Sequence, residues 1–328
     1  MDLLFASEYL LPALGGAERF VSEAAAGLAA RGHHVRLLSL GGRLVATASD
    51  DPIQRLIVDD PATDEPRWQR RQRWHSALEQ AVTAELARRP AQLVVGQLHT
   101  GPAAVSAAHA AGLPAALLLP SHEAFCAWAF APDTTCVPRS GCRDCPRFRA
   151  QSPAEQELQL CARREQRQAL ADAELLLAPS RSLAATCEAW CGRRAEVVAP
   201  LIGAVRAPRP GPAPGGPVVL AASQWTPGKG AQLLAPLAAA LAPRRVRVQW
   251  LALGPPADVL ATLAAAPNVD LPRPALPLAT LLSEAGVLLI PSQAPEAFGR
   301  LAVEGMAAGV PVLASGSGGL RESVPPAQ

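Results

Sequence analysis

Short apolar runs recur along this chain, and most are followed by a stretch whose apolar residues fall at helical spacing. Residues 3–6, 35–40, 91–96, 113–119, 171–180 and 196–198 read as strands, as do 218–222, 246–253 and 287–292 further on. The segments 17–29, 67–88, 102–111, 154–170, 231–241, 258–266 and 278–285 read as helices between them. A strand covered by helices on both faces has no polar side to present, so continuous apolar runs belong inside a parallel sheet. Strand–helix–strand alternation with right-handed crossovers therefore predicts an α/β fold built on parallel sheets.

One interruption divides that pattern. Residues 206–217 hold five prolines and three glycines, a density that neither a helix nor a ladder tolerates. The expectation is two Rossmann-like domains, residues 1–205 and 218–328, joined by this linker and facing a ligand cleft. A length of 328 residues suits two domains of ordinary size.

Composition excludes several classes of partner. A formal net charge of +2 gives no strong pull toward nucleic acid. No apolar run is long enough to span a bilayer. The apolar start carries Asp2 and no early Lys or Arg, so it reads as a buried first strand rather than an export signal. The expected location is the cytoplasm, where the seven cysteines stay reduced and serve burial or metal binding before disulfides. Arg67-Trp68-Gln69-Arg70-Arg71-Gln72-Arg73-Trp74 reads either as a solvated helix face or as a peripheral contact with the inner face of a membrane or a lipid-linked acceptor.

Several short features carry possible chemistry. Gly15-Gly16 follows the first strand, where it makes a tight turn or lets backbone amides approach a ligand. It is not a G-x-G-x-x-G, which disfavours a nicotinamide cofactor. His99 and His122 both fall at carboxyl ends of strands, where ligands of open parallel sheets sit. Cys126, Cys136, Cys142 and Cys145 include a C-x-x-C pair; four thiolates close a tetrahedral structural zinc site, or else are simply reduced thiols of a loop. Ser180 is placed to cap the helix carrying Cys187 and Cys191, which lie one turn apart and read as packing residues.

The richest stretch is 295–314. It reads as a loop, a helix starting near Phe298, and a buried strand, with Glu296 just outside the helix and Glu304 about two turns in. At about 1.5 Å of rise per residue the carboxylates stand roughly 10 Å apart along the chain path, a span that suits two polyol ends flanking a pyrophosphate. The first-turn amides and helix dipole favour phosphate, and Lys229 in Pro227-Gly228-Lys229-Gly230 adds a full positive charge. Two glutamates around a helix also describe an ordinary solvated surface.

Taken together, Glu296-Ala-Phe-Gly-Arg-Leu-Ala-Val-Glu304, Gly318-Gly319-Leu320-Arg321-Glu322, Gly15-Gly16-Ala17-Glu18, Gly32-His33-His34-Val35 and Pro227-Gly228-Lys229-Gly230 resemble the family-4 retaining glycosyltransferases. Pro179-Ser180, and His122-Glu123 before the cysteine-rich loop, resemble a subgroup acting on cell-surface or secondary-metabolite glycans. The resemblance implies a GT-B fold with a nucleotide-diphosphate-sugar donor site mainly in the second domain and a glycan, lipid-linked or small-molecule acceptor. Polysaccharide biosynthesis is one expected setting. It implies that Glu296 contacts the donor sugar and Glu304 holds the ribose. Amides of Phe298, Gly299, Arg300 and Leu301 would face the pyrophosphate while Lys229 stabilises the leaving diphosphate. His122 and the Gly15-Gly16 loop would approach the reacting sugar. Retention is assigned in the family to a same-face displacement assisted by the donor phosphate, so no catalytic metal or other cofactor is required, and no D-x-D is present.

Two departures stand out. Gln224 replaces the family's usual arginine five residues before the lysine, which removes a charge from the diphosphate pocket. The chain stops at Gln328, where family members continue through further helices, so the second domain is expected to be incomplete. The alternatives are a non-catalytic nucleotide-sugar binder and a nucleotide-sugar epimerase on the same architecture.

Overall fold

A computed structural model describes residues 1–7, 16–40, 53–58, 67–126, 142–202, 218–224, 227–253, 261, 266–270 and 278–326. The chain divides into two compact units, with the main division between Leu201 and Ile202. The proline-rich residues 206–217 lie outside the described residues.

The first unit runs β1 (Asp2–Ser7), α1 (Gly16–Ala29), β2 (His34–Leu40), β3 (Ile53–Val58), α2 (Arg67–Arg88), β4 (Leu93–Gln97), α3 (Gly101–Ala110) and β5 (Ala115–Leu118). It continues with α4 (Pro146–Arg149), α5 (Pro153–Asp172), β6 (Leu175–Ala178), α6 (Arg181–Cys191) and β7 (Glu196–Val197). Among the described residues the strands form one parallel sheet in the order β3-β2-β1-β4-β5-β6-β7. The strand β1 lies inside the sheet, between β2 and β4, and its burial on both faces explains the unbroken apolar run in the sequence. Leu3 and Phe5 meet Phe20, Val21 and Ala25 of α1 in one core cluster, with Val35, Leu37 and Val95 from the flanking strands. Each such side chain contributes about 1.5–3 kcal/mol on burial, so the interior strands and α1 fix one another.

The alternate residues of β2 point to the opposite face, where Arg36 is only 2% exposed. Its guanidinium sits 2.5 Å from the Glu85 carboxylate of α2 and donates to the carbonyls of Arg89 (2.8 Å) and Pro90 (3.0 Å). Carbonyls at a helix C-terminus have no intrahelical partner, and the planar fork satisfies them while neutralising Glu85. The helix α5 opens on a full capping box, Ser152 with Glu155. It extends to Asp172, so the strand expected over 171–180 begins only at Leu175. The edge strand β3 was not foreseen, because Gln54 and Arg55 break its apolar run.

The second unit runs β8 (Val218–Gln224), α7 (Leu234–Leu241), β9 (Arg247–Leu253), β10 (Val269–Asp270), α8 (Leu278–Glu284), β11 (Val287–Ile290), α9 (Arg300–Ala307), β12 (Val312–Ala314) and α10 (Leu320–Ser323). Its described strands are parallel, in the order β10-β9-β8-β11-β12. The helix expected over 231–241 starts as a 3-10 turn, Ala231–Leu233. Apart from Ala261 and Ala266, the helix expected over 258–266 lies outside the described residues. Leu281, Leu282, Leu288, Ile290, Ala302, Val310 and Leu320 form the core between α8, α9, α10 and β11.

Candidate functional site

In the second unit the sheet order reverses at β8 and β11, and both strands deliver loops to their carboxyl ends. Such a switch point is where open α/β sheets bind ligands. The loop after β8 turns through Pro227–Lys229 in a 3-10 turn. The Gly228 carbonyl accepts the N–H groups of Gln293 and Ala294, both at 2.8 Å, which laces this turn to the loop after β11. Gly230 closes the turn at φ +77°, and a Cβ there would lie 2.0 Å from the Pro291 carbonyl oxygen. Only glycine meets both demands, a left-handed backbone and a neighbouring chain at contact distance.

That lacing brings Lys229 Nζ to 2.6 Å from Glu296 Oε1. The same oxygen accepts a hydrogen bond from Ser292 Oγ at 2.5 Å. Both charged side chains are largely withdrawn from water, at 19% and 16% exposure, so the pair is stronger than a surface ion pair. The Glu296 backbone is fixed from the other side. Its N–H donates to the Ser317 carbonyl (3.3 Å), and its own carbonyl accepts from Gly319 N–H (2.7 Å). A Cβ at Gly318 would stand 2.5 Å from the Glu296 carbonyl oxygen, and one at Gly319 would stand 2.6 Å from that of Ala297. The Gly318-Gly319 pair is thus the cradle of Glu296.

The helix α9 begins at Arg300, not near Phe298. Gly299 takes φ +88° with the Leu320 side chain lying against it, so the helical path starts one residue later. Phe298 is held in the preceding loop, its carbonyl accepting from Ser323 Oγ. Glu304 consequently lies one turn into the helix rather than two. It is buried, and its Oε1 accepts from Arg300 Nε at 2.8 Å. Leu301 packs onto the core of the unit. Lys229 therefore meets Glu296, and Arg300 meets Glu304, where sequence reasoning had Lys229, Glu296 and Glu304 acting separately and used only the backbone amide of Arg300. Sequence reasoning missed Ser292. A serine ending the β11 run four residues before Glu296 was the available signal. The Gln224 side chain lies outside what is described.

In the first unit, Gly16 is the exposed first residue of α1, and Gly15 lies outside the described residues. His122 opens a 3-10 turn after β5 and is half-buried. Ser121 Oγ accepts the Glu123 N–H at 3.2 Å, and the His122 carbonyl accepts those of Phe125 (2.9 Å) and Cys126 (2.8 Å). His99 occupies the equivalent turn after β4.

Cys126, Cys142 and Cys145 are free thiols, and Cys136 lies outside the described residues. Cys142 takes φ +74° and its carbonyl accepts the Cys145 N–H at 2.9 Å, which makes the C-x-x-C a tight turn. Burial pushes the Cys142 thiol up, against the pull of Arg163 and with a further push from Cys126 and Cys145. Among the described residues no three His, Cys, Asp or Glu side chains are grouped to hold a metal ion. Among the same residues no helix is long and apolar enough to cross a membrane.

Residues 15–201 match the family described as "Glycosyl transferase 4-like domain", and residues 216–327 match that described as "Glycosyl transferases group 1". No curated protein sequence matches. Among solved structures, sucrose-phosphate synthase from Thermosynechococcus elongatus superposes with a TM-score of 0.70 at 19% identity, over 99% of this chain and 84% of that one. HepE from Anabaena, in complex with UDP and glucose, gives 0.68 at 18% identity over 98% and 82%. WaaG, a glycosyltransferase involved in lipopolysaccharide biosynthesis, gives 0.68 at 18% identity over 98% and 83%. At such identities the likeness establishes the fold, which is GT-B.

Proposed function

This chain belongs to the glycosyltransferase family named by those two descriptions, and from that premise we propose that it moves a sugar from a nucleotide-diphosphate sugar to an acceptor hydroxyl with retention of anomeric configuration. The observation that carries the reading is the cluster of Lys229, Glu296 and Ser292 beside the start of α9. UDP and glucose in HepE, and ADP in a starch synthase of the same fold, are consistent with a nucleotide-diphosphate donor.

In this reading the donor diphosphate competes with Glu296 for Lys229. The Lys229 charge, with the first-turn amides of Arg300 and Leu301, balances the charge that builds on the departing diphosphate. Glu296, released from Lys229, accepts from sugar hydroxyls, while Phe298 and Gly299 line the approach to the helix start. Glu304 accepts from the ribose, and Arg300 holds its carboxylate in place in the meantime. His122 and the Gly15-Gly16 loop act from the first unit on the reacting sugar. The acceptor is a glycan, a lipid-linked saccharide or a small metabolite. The basic, Trp-bearing start of α2 would hold the enzyme to a membrane if the acceptor is lipid-linked. A structural zinc on Cys126, Cys136, Cys142 and Cys145 completes the proposal; metal analysis of purified protein at below about one tenth equivalent of zinc ends it.

The test is transfer from radiolabelled UDP-, ADP- and GDP-sugars, with the anomeric configuration of the product read by NMR. Glu296→Ala is expected to abolish transfer, and Lys229→Met to weaken binding of the free nucleoside diphosphate by about 10- to 100-fold, the loss of one charge-assisted contact. Binding without turnover, indifferent to Glu296→Ala, establishes a non-catalytic nucleotide-sugar binder instead.

A further inference from the structure

The helix α6 carries two cysteines that the proposed reaction does not use. Cys187 is fully buried, Cys191 is the last residue of the helix, and their sulfurs stand 3.6 Å apart. As a thiol, Cys191 donates to the Cys187 carbonyl at 3.2 Å. Gly192, at φ +75°, follows immediately and ends the helix through its N–H to the Glu188 carbonyl. The partly exposed sulfur therefore sits at a frayable end, and the buried one sits behind it.

From this geometry we propose that Cys187 and Cys191 are a thiol–disulfide modification site, oxidised by hydrogen peroxide to an intrahelical disulfide that displaces the last turn of α6. The Cys191 thiolate attacks one peroxide oxygen; the O–O bond breaks, hydroxide leaves, and a sulfenic acid forms. The Cys187 sulfur then attacks the Cys191 sulfur, the S–O bond breaks, and the hydroxyl departs as water with the Cys187 proton. The two thiols lose two electrons and the peroxide gains them. Reactive thiols of this kind combine thiolate character, access to solvent and an adjacent resolving cysteine. Cys191 has that character: the Cys187 thiol bonded to it, the Arg193 N–H and the charges of Arg193 and Arg167 outweigh burial and bring it down to about 6.

Closure has a mechanical consequence. Cβ atoms four apart on a helix stand about 5–6 Å from each other, whereas a disulfide requires roughly 3.5–4.5 Å. The final turn must therefore deform, and Trp190 lies in it. The Trp190 ring packs edge-on against Phe125 with centroids 5.6 Å apart, and the Arg167 guanidinium lies 4.8 Å from its centroid. The Phe125 N–H is bonded to the His122 carbonyl, so the turn holding His122 rests on the residue that moves. The modification is independent of the function proposed above; only a link to turnover rests on the role given there to His122.

The test uses the full chain and hydrogen peroxide. Differential alkylation with mass spectrometry is expected to find Cys187 and Cys191 linked within one peptide, reversibly with dithiothreitol, and the link is lost in Cys191→Ser and in Cys187→Ala. Hydrogen exchange across residues 121–126 is expected to speed up several-fold on oxidation in the wild type, but not in Cys191→Ser. Oxidation of the exposed-side Cys161 without any 187–191 link overturns the proposal, as does a link that leaves exchange at 121–126 unchanged. Both readouts stand whether or not sugar transfer is observed.

Discussion

Replacing Gly230 by alanine separates two costs that usually arrive together. At φ +77° an L-residue pays for the left-handed backbone, about 1–2 kcal/mol, offset by about 0.4–1 kcal/mol from the stiffer unfolded chain. The new Cβ would also lie 2.0 Å from the Pro291 carbonyl oxygen, a backbone atom that yields only if the loop after β11 moves. Overpacking of this kind costs roughly 1–3 kcal/mol, which brings the total to about 1–5 kcal/mol, centred near 3 kcal/mol. Gly309 supplies the control, because it has the same φ of +77° with nothing within 4 Å of a Cβ. Gly309→Ala should therefore cost only about 0–1.6 kcal/mol. With a urea slope of about 1–3 kcal/mol/M, Gly230→Ala lowers the midpoint by about 1 M or more, well beyond Gly309→Ala. Urea titration followed by circular dichroism measures this, and hydrogen exchange over residues 218–324 assigns the loss to the second unit. Because the moved loop carries Ser292 and Glu296, nucleotide binding should weaken as well. Equal losses in the two variants would refute the close packing of the Lys229 turn on Pro291, and with it the account of how Lys229 reaches Glu296.

The buried pair in the first unit gives a second expectation. Arg36→Met leaves Glu85 buried without its partner and should cost about 3–5 kcal/mol in a denaturant titration, while Arg36→Met with Glu85→Leu recovers most of it. Glu174 offers a pH test. The Ala115 N–H, 2.7 Å from its carboxylate, holds the group below the usual carboxylate range. Its contribution is complete above that range and is lost as pH falls through the depressed value, so below about pH 4.5 the wild type loses stability more steeply than Glu174→Gln. Parallel acid limbs for the two proteins would show that this bond adds nothing.

The architecture was legible in the sequence because its signals are local. Buried parallel strands must be apolar throughout, and crossovers must be long enough to hold a helix. Serine caps such as Ser180, whose Oγ accepts the Leu183 N–H, are equally local. The residue types of the candidate site were legible for the same reason, since carboxylates, a lysine and glycines at fixed spacing limit the chemistry on offer. Strands with polar residues in their run, such as β3, escaped notice.

What tertiary structure decided was which of those groups meet. The spacing of Glu296 and Glu304 suggested two independent carboxylates, yet one is joined to Lys229 from 67 residues away and the other to Arg300. Those partnerships depend on β8 and β11 lying side by side, on the Pro291 carbonyl against Gly230, and on Gly318-Gly319 lying under Glu296. No local propensity encodes such contacts, because they arise only when distant turns are packed to van der Waals distance. The same holds for Cys187 and Cys191. Their spacing gave one helical turn, but only the packed structure buries one sulfur, leaves the other at the helix end, and sets Trp190 between that end and the His122 turn.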